Sequence, residues 1–205
     1  MYSKKGHCGK QEKRQTACSD PLESDLVLAV NVQEDGKLVE LDADGNLQWE
    51  QRYELPGWQY ASRVAQTEDG GFLLTGFSMS GWTTSSLPQQ TDTWLAGCTS
   101  TGELEWETSF GDPSFDDYGT SMIRLSDGTY LIGAIANGIL LSRVDESGNV
   151  LWRRSLLKQR TVYGSMALTE LEEGGYLVAG LIQLVNGRSY DAILLRTDAE
   201  GRVGE

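Results

Sequence analysis

Short apolar runs, each opened by a glycine or an acidic turn, recur along the chain from about Leu26 onward. Phe72-Leu73-Leu74, Tyr130-Leu131-Ile132 and Tyr176-Leu177-Val178 each follow a Gly-Gly or Asp-Gly turn, and Leu26 to Val30 fits as a first copy. A glycine step before an aromatic and aliphatic run is a hairpin signal, because such positions tolerate positive φ. The runs are continuous rather than alternating, which predicts strands buried on both faces. A second kind of strand is read at Lys37–Leu41, Thr93–Cys98, Gly138–Val144 and Asp191–Arg196. It runs into a turn with glycine at its fourth place, followed four residues later by tryptophan: Asp42, Gly45 and Trp49; Thr99, Gly102 and Trp106; Asp145, Gly148 and Trp152. The fourth copy, Asp198 to Gly201, has Glu205 where the indole should be. Strands rich in aromatic, small and hydroxyl residues precede three of the runs, at Trp58–Ser62, Tyr118–Ile123 and Tyr163–Ala167. No stretch reads as a helix.

The tryptophan position recurs at intervals of 57, 46 and 53 residues. Four-stranded antiparallel units of this length predict an all-β fold, a β-propeller-type array of stacked blades. The unit boundaries fall at about 23-53, 54-110, 111-157 and 158-205. The first unit lacks its innermost strand, because the residues before it are too polar, and the last ends where its tryptophan would stand. An open arc or partial propeller is therefore expected in preference to a closed four-blade ring. Unpaired strand edges seek partners, so self-association through the incomplete end units is expected.

Composition agrees with this reading and narrows the partners. The chain has 205 residues, 39% hydrophobic, with 24 glycines against 4 prolines and with 6 tryptophans. No apolar run is long enough for a membrane helix, so membrane insertion is not expected. Residues 1–22 are polar, basic and aperiodic, and are expected to form a disordered tail without the apolar core of a secretory signal. The net charge is −13, and the basic tail leaves the remaining body more acidic still. Such a body repels nucleic acid, which is excluded as a principal partner. Three cysteines, Cys8, Cys18 and Cys98, leave at least one unpaired, and Cys8 and Cys18 either pair or stay free. His7 beside Cys8 does not complete a tetrahedral metal site, and neither a metal nor a cofactor is expected.

The only histidine is His7, so the folded body holds no Ser-His-Asp triad. Asp42 and Asp44 beside Gly45 echo half of a calcium loop but lack the later carboxylate, and a turn with Asp accepting backbone N–H groups is the better account. Asp116 and Asp117 are adjacent, so as strand neighbours they point apart rather than facing across a gap, and read as solvated acids at a turn. In a meander of four strands, the links between units and the turns between second and third strands collect on one face. That face carries the candidate binding residues Trp58, Trp82, Asp112, Asp116 and Asp117. The opposite face collects acidic turns.

The residues Tyr118-Gly119, Asp127-Gly128-Thr129-Tyr130 and Gly148-Asn149 with Trp152 resemble the β-propeller repeats of bacterial and archaeal cell-surface and secreted proteins, over about residues 24–205. The resemblance implies an extracellular or cell-envelope location and a binding or scaffolding role. The Asp, Gly and Trp spacing is also similar to quinoprotein-type repeats. That likeness implies a structural staple, Trp49, Trp106 and Trp152 packing across the glycine turns Gly45, Gly102 and Gly148 of adjacent units. The expected function is a non-catalytic module that binds a protein or glycan partner. The alternatives are a carbohydrate-active or degenerate quinoprotein-like enzyme, and a truncated array without independent activity.

Overall fold

The computed structural model describes residues 26–32, 35–80, 90–112, 114–158, 162–183 and 190–204. The expected tail 1–22 with His7, Cys8 and Cys18, the candidate Trp82, and Glu205 lie outside the described residues.

The described strands form four separate antiparallel sheets. The first has three strands, β1 (Leu26–Val32), β2 (Asp35–Leu41) and β3 (Leu47–Arg52). The second has four, β4 (Trp58–Gln66), β5 (Phe72–Ser80), β6 (Gln90–Cys98) and β7 (Leu104–Phe110). The third has four, β8 (Tyr118–Arg124), β9 (Tyr130–Ala136), β10 (Gly138–Val144) and β11 (Val150–Leu156). The fourth has three, β12 (Val162–Glu170), β13 (Tyr176–Gln183) and β14 (Tyr190–Thr197). Each sheet is a meander in chain order. Successive sheets pack face to face, the sheets do not close into a ring, and the architecture is an open propeller-type arc.

Why the middle strands read as continuous apolar runs is now plain. In β5, Phe72 and Leu74 pack back against Val27 and Leu38 of the first sheet. Leu73 between them packs forward against Tyr130 and Ile132 of the third. In β9 and β10, Leu131 and Leu141 pack forward against Tyr176 and Val178 of the fourth. A strand sandwiched this way has no solvated face, so the period-2 alternation of a half-buried strand disappears.

The outer strands β3, β7 and β11 are mostly exposed, with the tryptophan half-buried near the middle of each. The hairpin turn before each is built alike. Gly45 N–H donates to Asp42 O (2.9 Å) and Asp42 N–H to Asn46 O (2.9 Å), a type I turn closed by a residue at φ +84°. Asp42 Oδ1 accepts the N–H groups of Asp44 (2.9 Å) and Asn46 (2.8 Å). Asp145 does the same for Ser147 and Asn149, and Asp198 for Glu200 and Arg202. In the second unit the Thr99 hydroxyl takes this place. These aspartates are turn-builders. The Asn46 side-chain amide, followed by the turn N–H groups, holds the Asp42 carboxyl below the usual carboxylate range. At Asp145 burial raises the carboxyl, but the Asn149 amide and the turn N–H groups outweigh it and leave it lowered. The added extended residue shifts the register of each hairpin at Glu40/Leu41, Gly97/Cys98 and Arg143/Val144.

Candidate functional site

The indoles do not sit over the glycines of their own turns. Each reaches to the turn of the following sheet: Trp49 lies over Gly102, Trp106 over Gly148 and Trp152 over Gly201. A Cβ at Gly102, Gly148 or Gly201 would come within 2.5, 2.4 or 2.7 Å of the indole ring. Gly45, in the first turn, has nothing within 4 Å of the same position. Trp49 also meets Phe72 (ring centroids 5.9 Å apart), and Trp152 meets Tyr176 (6.1 Å) with the Arg154 guanidinium 5.6 Å above its ring. A further tie joins the first two sheets. The Tyr53 hydroxyl donates to Gly102 O (2.9 Å) and accepts from Cys98 Sγ (3.2 Å), all of it buried. Burial pushes the Cys98 thiol up to about 11 and raises the Tyr53 hydroxyl well above its ordinary value.

Two clefts formed by described residues lie at the other end of the sheets. The larger, about 450 Å³, sits on the third sheet and is lined in part by Gly111, Asp112, Phe115, Asp117, Asn137 and Arg153. Ser155 and Lys158 complete its polar wall. It is therefore assembled from the link before the sheet, the turn between β9 and β10, and the outer strand β11 with the residues that follow it.

The link is held firmly. Asp117 N–H donates to Thr91 O (2.7 Å), and Thr91 N–H donates to Asp116 Oδ1 (2.9 Å). Asp112 N–H donates to Asp117 Oδ2, and Ser114 N–H to Asp112 Oδ1 (2.9 Å). Arg153 Nη1 donates to Gly111 O (3.2 Å). Asp116 is exposed, as a solvated acid should be. Asp117, expected to be its solvated neighbour, is instead fully buried at 0% exposure. The cause is geometric, since Asp117 turns inward beneath the link to receive the Asp112 N–H. Its Oδ1 has no hydrogen-bond partner. Burial raises the carboxyl to about 6, assisted by the charges of Asp92 and Asp112 and opposed by the Asp112 N–H and Arg153. Burial, with the charge of Asp116, also raises Asp92.

The smaller cleft, about 310 Å³, is lined by Pro56, Gln59, Ser78, Glu107, Thr108 and Ser109 on the second sheet. The two are equivalent places in the repeat. Tyr60 pairs with Phe77 and Tyr118 with Ile135, so Gln59 and Asp117 are the residues before the same tyrosine. Both are buried with a side-chain oxygen lacking a partner. Glu107 and Arg153 each follow the tryptophan of their unit, and Ser109 and Ser155 follow two places later. The fourth sheet has buried Val162 at the position of Gln59 and Asp117.

Of the residues expected on this face, Asp112 and Asp117 line the larger cleft, with Asp116 beside them in the link. Trp58 is half-buried at the start of β4 opposite Met79, and lines neither cleft. Phe115, Asn137, Arg153 and Lys158 escaped sequence reading because they come from three separate segments. The recurrence of a serine three places after the tryptophan was the one signal available for the wall of the cleft.

No protein-family profile matches the chain, and comparison with curated proteins finds no relative. Solved structures do match. BamB from Moraxella catarrhalis superposes with a TM-score of 0.53 at 19% identity, over 91% of this chain and 50% of that one. This chain thus spans about half the length of BamB. A protein of unknown function from Bacteroides caccae gives 0.50 at 12% identity, over 91% and 78% of the two chains. An endo-arabinase from Bacteroides thetaiotaomicron gives 0.53 at 12% identity, over 88% and 72%. At these identities the likeness is one of fold, the propeller.

Proposed function

We propose that this chain is a non-catalytic binding module of a cell-envelope or secreted protein, and that the cleft on its third sheet takes a hydroxyl-rich ligand, a segment of glycan. The observation that carries the reading is how the carboxylates of the cleft are used. Asp117 holds the Asp112 N–H and is closed to solvent, while Asp112 holds the Ser114 N–H. Glycoside hydrolysis calls for two carboxyl groups facing one another across an open gap of at least roughly 5 Å. Here both acids belong to one short link and serve its backbone. The cleft offers instead the Phe115 ring, 43% exposed, among an amide, a hydroxyl and two cationic side chains. A ring face against C–H surface and several convergent hydrogen-bonding groups suit a neutral polyhydroxylated ligand. The acidic body disfavours nucleic acid in the same place.

Titration calorimetry against an oligosaccharide panel, run beside an assay for released reducing ends, tests the reading. Binding without turnover is expected, weakened about tenfold or more by Phe115→Ala and by Arg153→Ala, the loss of roughly one good contact. Turnover that disappears in Asp112→Asn or Asp117→Asn would make the chain an enzyme and overturn the proposal.

A further inference from the structure

Among the described residues, the two ends of the arc repeat the two halves of an interface that the chain makes three times internally. Consider first the side of each sheet that faces the next one. One leucine recurs there in all four sheets: Leu38, Leu95, Leu141 and Leu194, opposite Ala29, Thr75, Gly133 and Ala179 in the register. In the first three sheets it is 0% exposed, and in the fourth, the last sheet described, Leu194 is 65% exposed. Leu181, two residues beyond Ala179 on the same face, is also exposed.

Now consider the side that faces the preceding sheet. In the second sheet Phe72, Leu74 and Ala96 are buried against the first. Their counterparts in the first sheet, by the same register, are Leu26, Leu28 and Val39, and these are only partly covered. The Gly45 turn on that side is open, whereas Gly102, Gly148 and Gly201 each lie under an indole.

We infer that these two faces dock on one another, the forward face of the fourth sheet in one copy against the rear face of the first sheet in a second copy, head to tail. The occupant is a second copy because each face repeats, position for position, one half of a sheet-to-sheet contact whose other half stands at the opposite end of the same chain. Two such contacts between two copies close a pair, and a mismatch in rotation extends the series instead. Burial of the recurrent leucine is the main gain. The net charge of −13 opposes it, so the contact strengthens as salt screens the two bodies. This docking does not depend on the ligand cleft, which lies at the end of the sheets.

Sedimentation velocity over a wide concentration range, on the full chain at moderate salt, tests the inference through two variants. Leu194→Asp alters only the forward face and Leu28→Asp only the rear face, with Val30→Asp replacing the latter should it lose its strand spectrum. The wild type is expected to associate reversibly, and each variant alone to weaken association at least tenfold. Mixing Leu194→Asp with Leu28→Asp leaves one intact forward face and one intact rear face, so the mixture should recover a two-chain species. A wild type that stays monomeric throughout would overturn the inference. So would association abolished by one variant and untouched by the other, since that describes two like faces meeting, and so would a mixture that fails to recover.

Discussion

Gly148→Ala separates two costs that are usually confounded at a turn glycine. The residue sits at φ +80°, and a Cβ there would stand 2.4 Å from the Trp106 ring. Gly45 has the same turn and φ +84°, with nothing within 4 Å. Gly45→Ala therefore carries only the backbone term, about 1 to 2 kcal/mol for an L-residue in the left-handed region. At Gly148 the indole must in addition withdraw by about 1 Å or more to restore ordinary carbon contact near 3.5 Å. Trp106 is also closed in from its own sheet, where a Cβ at Gly97 would come within 2.3 Å of it. It has little room to yield, so the substitution forfeits a large part of the 3 to 5 kcal/mol or so carried by a packed aromatic. The expected total for Gly148→Ala is about 3 to 5 kcal/mol. Urea titrations followed by far-UV circular dichroism, at a concentration where the chain is monomeric, measure both variants. In a Trp106→Ala background the Gly148→Ala cost should fall to the Gly45→Ala value, a coupling of about 2 to 3 kcal/mol. Equal costs for the two alanine variants would refute the reasoning, as would a Gly148→Ala cost that survives loss of the indole.

Two further outcomes follow from buried groups. Asp117 has its carboxyl raised to about 6 from 3.8, so its contribution to stability is fully present below about pH 3.8 and lost as pH rises through about 6. Asp117→Asn should therefore gain on the wild type with rising pH, by on the order of 2 to 3 kcal/mol between about pH 4 and pH 7, and a pH-independent difference in urea titrations would contradict this. Burial and the raised ionisation of Cys98 predict that, with Cys8 and Cys18 replaced by serine, the native thiol reacts with alkylating reagents only through opening of the first two sheets. Tyr53→Phe leaves Gly102 O without its donor and should accelerate that labelling, at a cost of about 1 to 3 kcal/mol; reaction of the native thiol at the rate of a free cysteine would count against it.

Much of the fold was legible because its determinants are local. A glycine at the fourth place of a turn needs positive φ wherever the turn occurs, and a strand covered on both sides shows a continuous apolar run wherever it lies. The first and last sheets have three strands each among the described residues, in keeping with the polar run before Leu26 and with Glu205 at the indole position. The cleft end of the sheets was less legible. Gln59, Asp117 and Val162 occupy one repeat position yet share neither charge nor shape, so nothing in the chain marks Asp117 as buried. The Tyr53 tie between the first two sheets was hidden in another way. Tyr53 reaches Gly102 across forty-nine residues, and no local pattern announces a hydroxyl directed at a distant carbonyl.

The two ends of the sheets differ in how closely their residues are tied to stability. At the turn end the same device is built four times, with Asp42, Thr99, Asp145 and Asp198 each accepting the N–H groups two and four residues on. Three of these turns also receive an indole from the preceding unit. A change there breaks a turn and a sheet-to-sheet contact together, so the end is tied to stability. At the cleft end the repeat keeps its serines, Ser109 and Ser155, while neighbouring positions diverge from Glu107 to Arg153 and from Gln59 to Asp117. Glu107 is tied to the core, because its Oε2 accepts the Nε1–H of buried Trp94 (2.9 Å), whereas Arg153 donates to the Gly111 carbonyl of the link. The two clefts differ in charge and shape while the sheets beneath them remain copies of one another, so the proposed binding role is a property of the individual blade rather than of the arc as a whole.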